Sequence, residues 1–391
     1  CTPALLLTTP EKARTLAGLS SPRIVAVDEA FMAGLAEFPD RYEPQTAATD
    51  LAIFQYTSGT TREMPAAIKH THRAVVVVMN AALYGIGLRP GDRFFCPSSP
   101  AWGHGLWHGT LAPLALGIET GAYAGRFDAG RLLKALQDYG STNLSAAATH
   151  YRMMKNTGHV PDFRLALRKL SFTGEPIDQE TSLFIQHAFR APLCSMYGMT
   201  EIGVVLANYP GASDFPVKEG SLGRPVPGVE VEVQRPDGSR CQPDELGEIK
   251  VRRHDAWFPT KDRGWVDADG YFYHAGRADD VIISAGWTMS AVEIENAMLG
   301  HPAVQSVAVI GVPDPLRGLV VKAYIVPTTD HATDDTVVAD IQTFVRNRLS
   351  QHEYPRLVTF VPDLPRTAAG KINRKALRDQ EAHSIQPKEK T

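Results

Sequence analysis

The sequence has few cysteines, no long uninterrupted apolar run and almost no net charge, and each feature excludes a class of protein. Its four cysteines, Cys1, Cys96, Cys194 and Cys241, lie far apart in a chain of 391 residues. Their spacing fits neither a disulfide framework nor a zinc site, so we expect free thiols in a reducing cytoplasm. The net charge is −3 and the basic residues are spread along the chain. This distribution predicts no nucleic-acid partner and no membrane-surface patch.

The longest apolar stretch, residues 74–87, is interrupted by Asn80 and is too short to cross a bilayer. We interpret it as a buried helix, so no membrane span is expected. The chain is 43% hydrophobic and 21% charged, which is ordinary for a globular protein with a sizeable core. Its length predicts two or three domains.

Short apolar runs alternate with segments of helical spacing along most of the chain. Residues 51–56 predict a buried strand, residues 170–173 predict another strand, and residues 127–139 have helical spacing. A loop rich in Ser, Thr and Gly follows residue 56, and the apolar helix starts near Arg73. A strand, a loop and a helix in that order are typical of an α/β domain.

The pattern changes in the last third of the chain. Residues 229–233 and 247–251 predict a β-hairpin. Further on, Ser290 and Glu293 stand at capping-box spacing ahead of a helix, and apolar strands follow it. We therefore predict an α/β fold with a large domain of mixed sheets and helices at 1–276 and a small, mobile α+β domain at 277–391.

Closely spaced hydroxyl groups mark a candidate anion site. The loop after the first strand contains Thr57, Ser58, Gly59, Thr60 and Thr61. Backbone N–H groups and hydroxyl donors in such a loop can surround a phosphate. Taken alone, the loop fits a Ser/Thr-rich surface turn as well.

A second motif reads Tyr197, Gly198, Met199, Thr200, Glu201. The tyrosine ring can stack on a nucleobase, the glycine permits close backbone approach, and the threonine can donate to a phosphate. Glu201 offers the hard oxygen that Mg²⁺ prefers, while the metal also binds phosphate oxygens. The alternative is a polar loop with a buried tyrosine.

Further single residues suit a ligand that contains a nucleobase and phosphates. Asp262 can accept two hydrogen bonds from a ribose diol, and the planar donor group of Arg277 suits ribose or phosphate. Lys371, between Gly370 and Ile372, can reach into a cleft and stabilise developing negative charge. The alternatives are a surface salt bridge for Asp262 and a solvated basic tail for Lys371.

Residues 100–105 read Pro-Ala-Trp-Gly-His-Gly. Trp102 can form the wall of an apolar tunnel, and Trp107 and His108 add aromatic bulk nearby. A histidine such as His104 is, in these surroundings, more often a packed and hydrogen-bonded residue than an acid or base.

Together and in this order, these motifs resemble the adenylate-forming, AMP-binding acyl-CoA synthetase family over residues 51–377. Around Trp102 and over residues 260–326 the chain is most similar to acetyl- and medium-chain acyl-CoA synthetases. The resemblance implies that a small-molecule carboxylic acid is activated by ATP as an acyl-AMP, with release of pyrophosphate. The acyl group then passes to coenzyme A, so the implied ligands are ATP, Mg²⁺ and coenzyme A.

The resemblance also implies roles for residues of this chain. The implied catalytic residues are Lys371, Thr200 and Glu201, with Glu201 as the metal ligand. The implied nucleotide-binding residues are Thr57, Ser58, Gly59, Thr60, Thr61, Gly174, Glu175, Pro176, Tyr197, Gly198, Met199, Thr200, Asp262 and Arg277. The remaining implied roles are the acyl pocket for Trp102, His104 and Gly105, the hinge for Asp279, and the coenzyme A channel for Gly286 and Trp287.

Some positions depart from the family pattern. After Thr61 the family continues Gly-x-Pro-Lys-Gly, whereas this chain has one extra residue and lacks that lysine in the stretch 62–67. Arg62 and Lys69 are the candidates to supply the missing positive charge. Lys261 stands where a glycine is usual, and Thr288 where an arginine or glutamine is frequent.

Several alternatives stay open at this point. Family members carry a sizeable block before the phosphate loop, whereas about fifty residues precede it here, so we expect the front of the protein to be missing. The acceptor could be a carrier-protein pantetheine arm instead of coenzyme A, and a nucleotide-binding protein without ligase activity is a further alternative. The sequence leaves open whether the acid is aliphatic or aryl and whether the protein is a homo-oligomer.

Overall fold

A computed structural model describes most of the chain. The described residues are 4–20, 22–56, 67–175, 177–277, 280–284, 287–328, 332–349, 351–366 and 372–385. The chain forms two compact units, Cys1–Asp50 and Leu51–Thr391.

The first unit is a small α/β arrangement. It contains β1 (Leu5–Thr8), α1 (Pro10–Thr15), β2 (Arg23–Ala26), α2 (Glu29–Gly34) and a 3₁₀ turn (Leu35–Glu37). The two strands pair in parallel. Both helices start at a side-chain cap, since Thr9 accepts from the backbone N–H of Lys12 and Asp28 accepts from that of Phe31.

The second unit begins with an α/β region. In chain order it contains β3 (Leu51–Tyr56), β4 (Ala67–Thr71), α3 (Ala74–Ala81), a π-helical segment (Ala82–Ile86), β5 (Arg93–Cys96), a second π-helical segment (His104–Leu111), α4 (Ala112–Ala115), β6 (Glu119–Ala122), α5 (Ala129–Asp138), β7 (Asn143–Ala147), α6 (Ala148–Asn156), a 3₁₀ turn (Val160–Asp162), β8 (Lys169–Thr173), α7 (Gln179–Phe189) and β9 (Leu193–Met199).

The remaining elements are mostly strands until the end of the chain. They are β10 (Gly203–Ala207), β11 (Ser221–Pro225), β12 (Val231–Gln234), β13 (Gly247–Arg253), β14 (Ala256–Val266), β15 (Phe272–Arg277), β16 (Val281–Ser284), β17 (Trp287–Ser290), α8 (Ala291–Leu299), β18 (Val304–Asp314), β19 (Gly318–Pro327), α9 (Asp335–Arg346), β20 (Leu357–Phe360) and α10 (Arg374–Ile385).

An eleven-stranded sheet organises most of the second unit, in the order β12-β13-β14-β15-β11-β10-β9-β8-β7-β5-β6. The strands from β9 to β6 pair in parallel, and those from β10 to β12 pair antiparallel. The two halves join where β9 and β10 pair antiparallel. The predicted hairpin is confirmed, because Val231 on β12 stands opposite Val251 on β13.

Helices cover both faces of the parallel half, as the period of two in a strand requires. Phe95 faces a core built from α5, α6 and α7, with Leu132, Leu136 and Leu144 fully buried. Phe94, the neighbouring residue, points to the opposite core with α3 and the two π-helical segments. This arrangement confirms the predicted α/β class.

The strand β3 differs from its prediction. The stretch 51–56 is a strand, but among the described residues it pairs with β4 alone, in a two-stranded antiparallel ribbon. Leu51 and Phe54 are 48% and 39% exposed, so the prediction of a buried strand was wrong. The apolar run alone could not reveal that a second strand precedes the helix at residue 74.

The end of the chain forms a smaller α+β region around a five-stranded sheet that contains β16 to β20. Helices α8 and α9 pack on one face, with Ile294, Val309 and Ile341 in the core. Leu377 of α10 packs on the other face. The predicted cap is confirmed, since Ser290 accepts from the backbone N–H of Glu293 at 3.3 Å.

Within the described residues, none of the helices combines the length and the apolar character that a membrane crossing requires.

Replacement of Leu136 by alanine tests the core of the parallel half. Because Leu136 is fully buried, Leu136→Ala should destabilise the protein by about 2–5 kcal/mol through lost transfer energy and a residual cavity. Leu114→Ala is the matched control, since Leu114 is 62% exposed and the change should stay within about 0.5 kcal/mol. The measurement is chemical denaturation followed by circular dichroism. Equal shifts for both variants would contradict the assigned core.

Candidate active site

One large cavity, of about 2760 Å³, opens inside the second unit, and most of the predicted site residues that the structure describes line it. The lining residues among those predicted are Trp102, His104, Gly174, Glu175, Tyr197, Gly198, Met199, Thr200, Glu201, Asp262 and Arg277. Five segments that are separate in sequence, around residues 102, 174, 197, 262 and 277, therefore meet at one concave surface. Such a surface is the usual form of a small-molecule site.

Other predicted residues do not share this placement. Gly105 is absent from the lining, because its α-carbon faces the backbone oxygens of Ser98 and Ser99. Trp287 is described only as the first residue of β17. The following predicted residues lie outside the described part of the chain: Thr57, Ser58, Gly59, Thr60, Thr61, Pro176, Asp279, Gly286 and Lys371.

A tight connection between β9 and β10 carries the second motif. Gly198 lies so close to the opposite strand that a Cβ there would stand 2.0 Å from the carbonyl oxygen of Gly203. The turn that follows closes with a hydrogen bond from the Ile202 N–H to the Met199 carbonyl. This turn places Thr200 and Glu201 on the cavity wall. The sequence predicts a close backbone approach at Gly198. In the structure, the group that approaches Gly198 is the backbone of the opposite strand, β10.

The two residues predicted to bind ribose lie side by side. Asp262 on β14 stands opposite Arg277 on β15. The Tyr197 hydroxyl donates to Asp262 Oδ2 at 2.5 Å, and His274 Nε2 lies 3.7 Å from Oδ1. Tyr197, Asp262 and Arg277 therefore form one polar group on the wall.

The ionisation of this group follows from its surroundings. Burial would raise the pKa of Asp262, but His274 and the Tyr197 hydroxyl stabilise the carboxylate and hold the pKa below its ordinary value. Burial and the neighbouring carboxylate raise the pKa of Tyr197. At neutral pH the site thus presents an ionised acceptor beside a protonated phenol.

Glu175 belongs to an ion-pair network. Arg152 on α6 contacts Glu175 Oε1 at 2.6 Å and Asp178 Oδ2 at 3.0 Å. The Thr149 hydroxyl also donates to Glu175. Burial would raise the pKa of Glu175, but Arg152 outweighs it and the pKa is lowered. The side chain is therefore engaged within the protein by Arg152 and Thr149.

His104 is held on both ring nitrogens, as expected for a packed histidine. Its Nδ1 lies 2.9 Å from Ser98 Oγ and its Nε2 lies 2.9 Å from Ser145 Oγ. Burial, with the nearby His108 and His150, lowers the pKa of His104 well below its ordinary value. The ring is neutral and is not available as an acid or base.

Two more imidazoles lie near Trp107. The ring of His70 meets the Trp107 ring edge-on, with centroids 4.9 Å apart, and Trp107 Nε1 donates to Gln55 at 2.8 Å. Burial lowers the pKa of His108 to about 4. His70, Trp107 and His108 all line the cavity.

Residues of the C-terminal region complete the lining. Arg374 at the start of α10 binds Glu295 of α8 at 2.9 Å through Nε, and its Nη1 lies 3.5 Å from Asp280. Arg378 also contacts Asp280, at 2.7 Å. These ion pairs connect the start of α10 to Asp280. In sequence, α10 follows Lys371, and Asp280 follows Asp279.

The cavity also contains groups suited to phosphates and a metal. Lys69 lies on β4 and Glu201 on the turn after β9, and both line the cavity. Glu201 opposes the burial effect that lowers the pKa of His70, which places its carboxylate near that ring. In the described residues, no group of three or more His, Cys, Asp or Glu side chains is arranged around a metal. A single exposed carboxylate fits Mg²⁺, since this ion commonly takes one or two carboxylates and completes its shell with phosphates and water.

Sequence reasoning missed several residues of the site. Arg152 pairs with Glu175 across 23 positions, and His274 reaches Asp262 from the next strand. No local pattern marks either one. Alternation along β15 places His274 and Gly276 on the same face, but it does not identify the partner.

Two family models match the sequence of this chain. The model for the AMP-binding enzyme matches residues 3–256, and that for the AMP-binding enzyme C-terminal domain matches residues 293–371. The chain is 34% identical over 358 residues to an uncharacterized acyl-CoA ligase, YtcI, of Bacillus subtilis (strain 168). That match covers 86% of this chain and 67% of the relative.

Two further comparisons agree. The chain is 31% identical over 372 residues to the mitochondrial acyl-coenzyme A synthetase ACSM3 of Rattus norvegicus, covering 86% of this chain and 62% of the relative. It resembles the crystal structure of the anthranilate CoA ligase AuaEII in complex with anthranoyl-AMP, with a TM-score of 0.87 and 26% identity. That match covers 98% of this chain and 79% of the other. The chain thus spans about two thirds of the length of these two curated relatives.

Gly198→Ala tests the contact between β9 and β10. A Cβ 2.0 Å from a carbonyl oxygen forces the strands apart, so we expect a loss of about 1–3 kcal/mol together with weaker AMP binding. Gly130→Ala is the control, since its Cβ would meet only Asp128 Oδ1 at 3.5 Å in helix α5, where alanine is favoured by up to about 1 kcal/mol. Thermal unfolding and equilibrium dialysis with AMP measure both effects. An unchanged Gly198→Ala protein would exclude the close contact.

Proposed function

The chain belongs to the AMP-binding enzyme family, and we propose that it activates a carboxylic acid with ATP and then passes the acyl group to coenzyme A. The observation that carries the proposal is the cavity wall, where segments around residues 174, 197, 262 and 277 meet. An ionised Asp262 beside Arg277 suits a ribose, and Gly174 and the Tyr197 ring, which also line the cavity, suit an adenine. This arrangement supports a nucleotide as one of the two reactants.

In the first half-reaction an oxygen of the carboxylate attacks the α-phosphorus of ATP. The bond from that phosphorus to the bridging oxygen breaks, which yields acyl-AMP and pyrophosphate. Because both reactants are anions, the protein must position them and offset their repulsion with cations and N–H donors. We assign these roles to Lys371, to the loop 57–61 and to Thr200. Lys69, on the cavity wall, takes the place of the lysine that the stretch 62–67 lacks.

We assign Mg²⁺ to Glu201. The ion, when bound, would neutralise charge on the phosphate oxygens of ATP. Glu201 is exposed on the turn after β9, so its carboxylate can reach a phosphate-bound ion without leaving a partner in the described structure. Thr200, the adjacent residue, then orients the α-phosphate.

In the second half-reaction the thiol of coenzyme A loses its proton to solvent, and its sulfur attacks the acyl carbon. The bond from that carbon to the phosphate oxygen breaks, and AMP leaves with the carboxylate oxygen that it gained. No covalent enzyme intermediate is required. We propose that residues 277–391 form a mobile domain that turns about Asp279, withdraws Lys371 and brings Gly286 and Trp287 to the thiol. Motions of this kind need only a few hinge dihedrals. Asp280, next to the proposed hinge, forms ion pairs with Arg374 and Arg378 of α10. These pairs make α10 move together with Asp280 during the rotation.

The acid is a small organic acid that fits the pocket around Trp102. Relatives named as an acyl-coenzyme A synthetase and as an anthranilate CoA ligase make both aliphatic and aryl acids candidates. We propose a place in fatty or aromatic acid metabolism, with the protein in the cytoplasm. The described cysteines, Cys96, Cys194 and Cys241, are free and buried, which suits a reducing compartment.

Pyrophosphate release from Mg·ATP, measured with short, medium, branched and aryl acids, tests adenylation. Lys371→Ala should lower acid-dependent release by about a hundredfold or more, because one charge-stabilising donor contributes that much to a transition state. Lys134→Ala is the matched control, because Lys134 pairs with Asp138 at 2.8 Å on the exposed face of α5, does not line the cavity, and such pairs contribute little. Unchanged release in Lys371→Ala would instead support a solvated basic tail.

The same assay, with coenzyme A or a carrier protein added, identifies the molecule that accepts the acyl group. Thioester formation with coenzyme A supports the full proposal, whereas acyl-AMP that accumulates until a carrier protein is added would identify a carrier-loading enzyme. AMP binding with no acid-dependent release would identify a nucleotide-binding protein.

Asp262→Asn tests the ribose site. Loss of the ionised acceptor should weaken AMP binding about tenfold, the usual size of a charge-assisted hydrogen bond. Asp269→Asn should leave AMP affinity unchanged, since Asp269 is 68% exposed and pairs with Lys218. Isothermal titration calorimetry with AMP measures the contacts to the whole nucleotide, and the same titration with adenine measures the contacts to the base alone. Weaker adenine binding in Asp262→Asn would point to general unfolding and not to the ribose.

A further inference from the structure

His104 and His108 lie on the second π-helical segment, and His70 lies on β4. The three histidines differ in their hydrogen bonding. His104 has a partner on each ring nitrogen, Ser98 on Nδ1 and Ser145 on Nε2. His108, four residues later, makes no hydrogen bond to any described residue, although it is only 7% exposed. The same stretch of chain therefore holds one satisfied imidazole and one unsatisfied imidazole.

The unsatisfied ring faces the acyl end of the cavity. His108 lines the cavity together with Trp102, Trp107 and His70. Its Nδ1 is enclosed by the protein, and no described residue bonds to it. Nε2 is the ring nitrogen that is not among the enclosed atoms, so it is the nitrogen that a ligand can reach.

The charge state of the ring decides what it can offer. Burial lowers the pKa of His108 to about 4, so the imidazole is neutral at physiological pH. A neutral imidazole carries one N–H donor and one acceptor. Enclosed N–H groups without a partner are rarer in proteins than enclosed acceptors, so the proton belongs on Nε2. The ring then presents a donor to the cavity.

We propose that His108 is a specificity-determining residue that donates a hydrogen bond to an acceptor on the distal part of the acid, so that the substrate is a polar-substituted acid such as a hydroxy acid. The inference rests on the proposed function, because it concerns the acid that this cavity activates. An unsubstituted acid would leave the buried donor unpaired. Sites that hydrogen-bond a substrate group reject analogues that lack it far more strongly than apolar pockets discriminate by size.

The second imidazole strengthens the polar character of this end of the cavity. His70 packs edge-on against Trp107, and its Nε2 is likewise enclosed without a partner among the described residues. Trp107 itself is held by Gln55. The cavity near His108 is thus lined by aromatic rings, and the hydrogen bond to Gln55 holds Trp107 in place.

The test compares matched acids of four to eight carbons, each with and without a terminal hydroxyl, and benzoate against hydroxybenzoates. Two readouts are used, kcat/KM for pyrophosphate release with Mg·ATP and acid binding measured by isothermal titration calorimetry. For at least one pair we expect the hydroxy acid to be preferred about tenfold or more in both readouts.

Variants locate the preference in one side chain. His108→Phe keeps an aromatic ring but removes the donor, so the ratio within the preferred pair should fall to about one. His108→Gln carries an amide N–H at similar reach and should retain a preference. His187→Phe is the control, since His187 is exposed on α7 and does not line the cavity, and its ratio should match that of the unmodified protein.

The outcomes separate the two proposals. A preference in binding that His108→Phe abolishes, without pyrophosphate release by any acid, would remove the proposed function and keep the role of His108. Efficient release with equal or better use of unsubstituted acids at every length, as a bound water on Nε2 would produce, overturns the role of His108 alone. An unchanged ratio in His108→Phe overturns it as well, and the absence of binding by every acid overturns both.

Discussion

The close contact of β9 and β10 at Gly198 is the constraint on which the rest of the site depends. These two strands join the parallel half of the large sheet to its antiparallel half. Only a residue without a Cβ can stand there, because the opposite carbonyl oxygen occupies that space. The contact brings Tyr197 of one half within hydrogen-bond distance of Asp262 of the other. A nucleotide wall assembled from both halves is the result.

The cavity has two electrostatically different sides. On the side of Glu175 and Asp262, carboxylates stay ionised because Arg152 and the Tyr197–His274 pair offset the cost of burial. On the side of Trp102, burial keeps the imidazoles of His104 and His108 neutral. The first side therefore offers an ionised acceptor for hydrogen-bond donors of a ligand, and the second side offers neutral imidazoles. A reaction between an acid and a nucleotide uses both sides.

Local patterns predicted the elements of the large sheet and of the C-terminal region well, because amphipathic spacing and caps act over a few residues. The cap of α8 by Ser290 and the pairing of β12 with β13 are as predicted. The strand β3 shows where such patterns fail. Its apolar residues predict burial, yet within the described part of the chain it pairs with β4 alone, and Leu51 and Phe54 stay exposed. Exposure depends on which elements pack against a strand, and no local signal encodes that.

The sequence by itself determined the α/β class, the order of the motifs and the family, because these depend on residue types at short spacings. It also determined that His104 would be a packed, hydrogen-bonded histidine. Only the tertiary structure decided that Asp262 pairs with Tyr197, that Glu175 is held by Arg152, and that His108 lacks a partner among the described residues. These contacts join residues far apart in sequence, and their geometry is set by how strands and helices pack around one cavity.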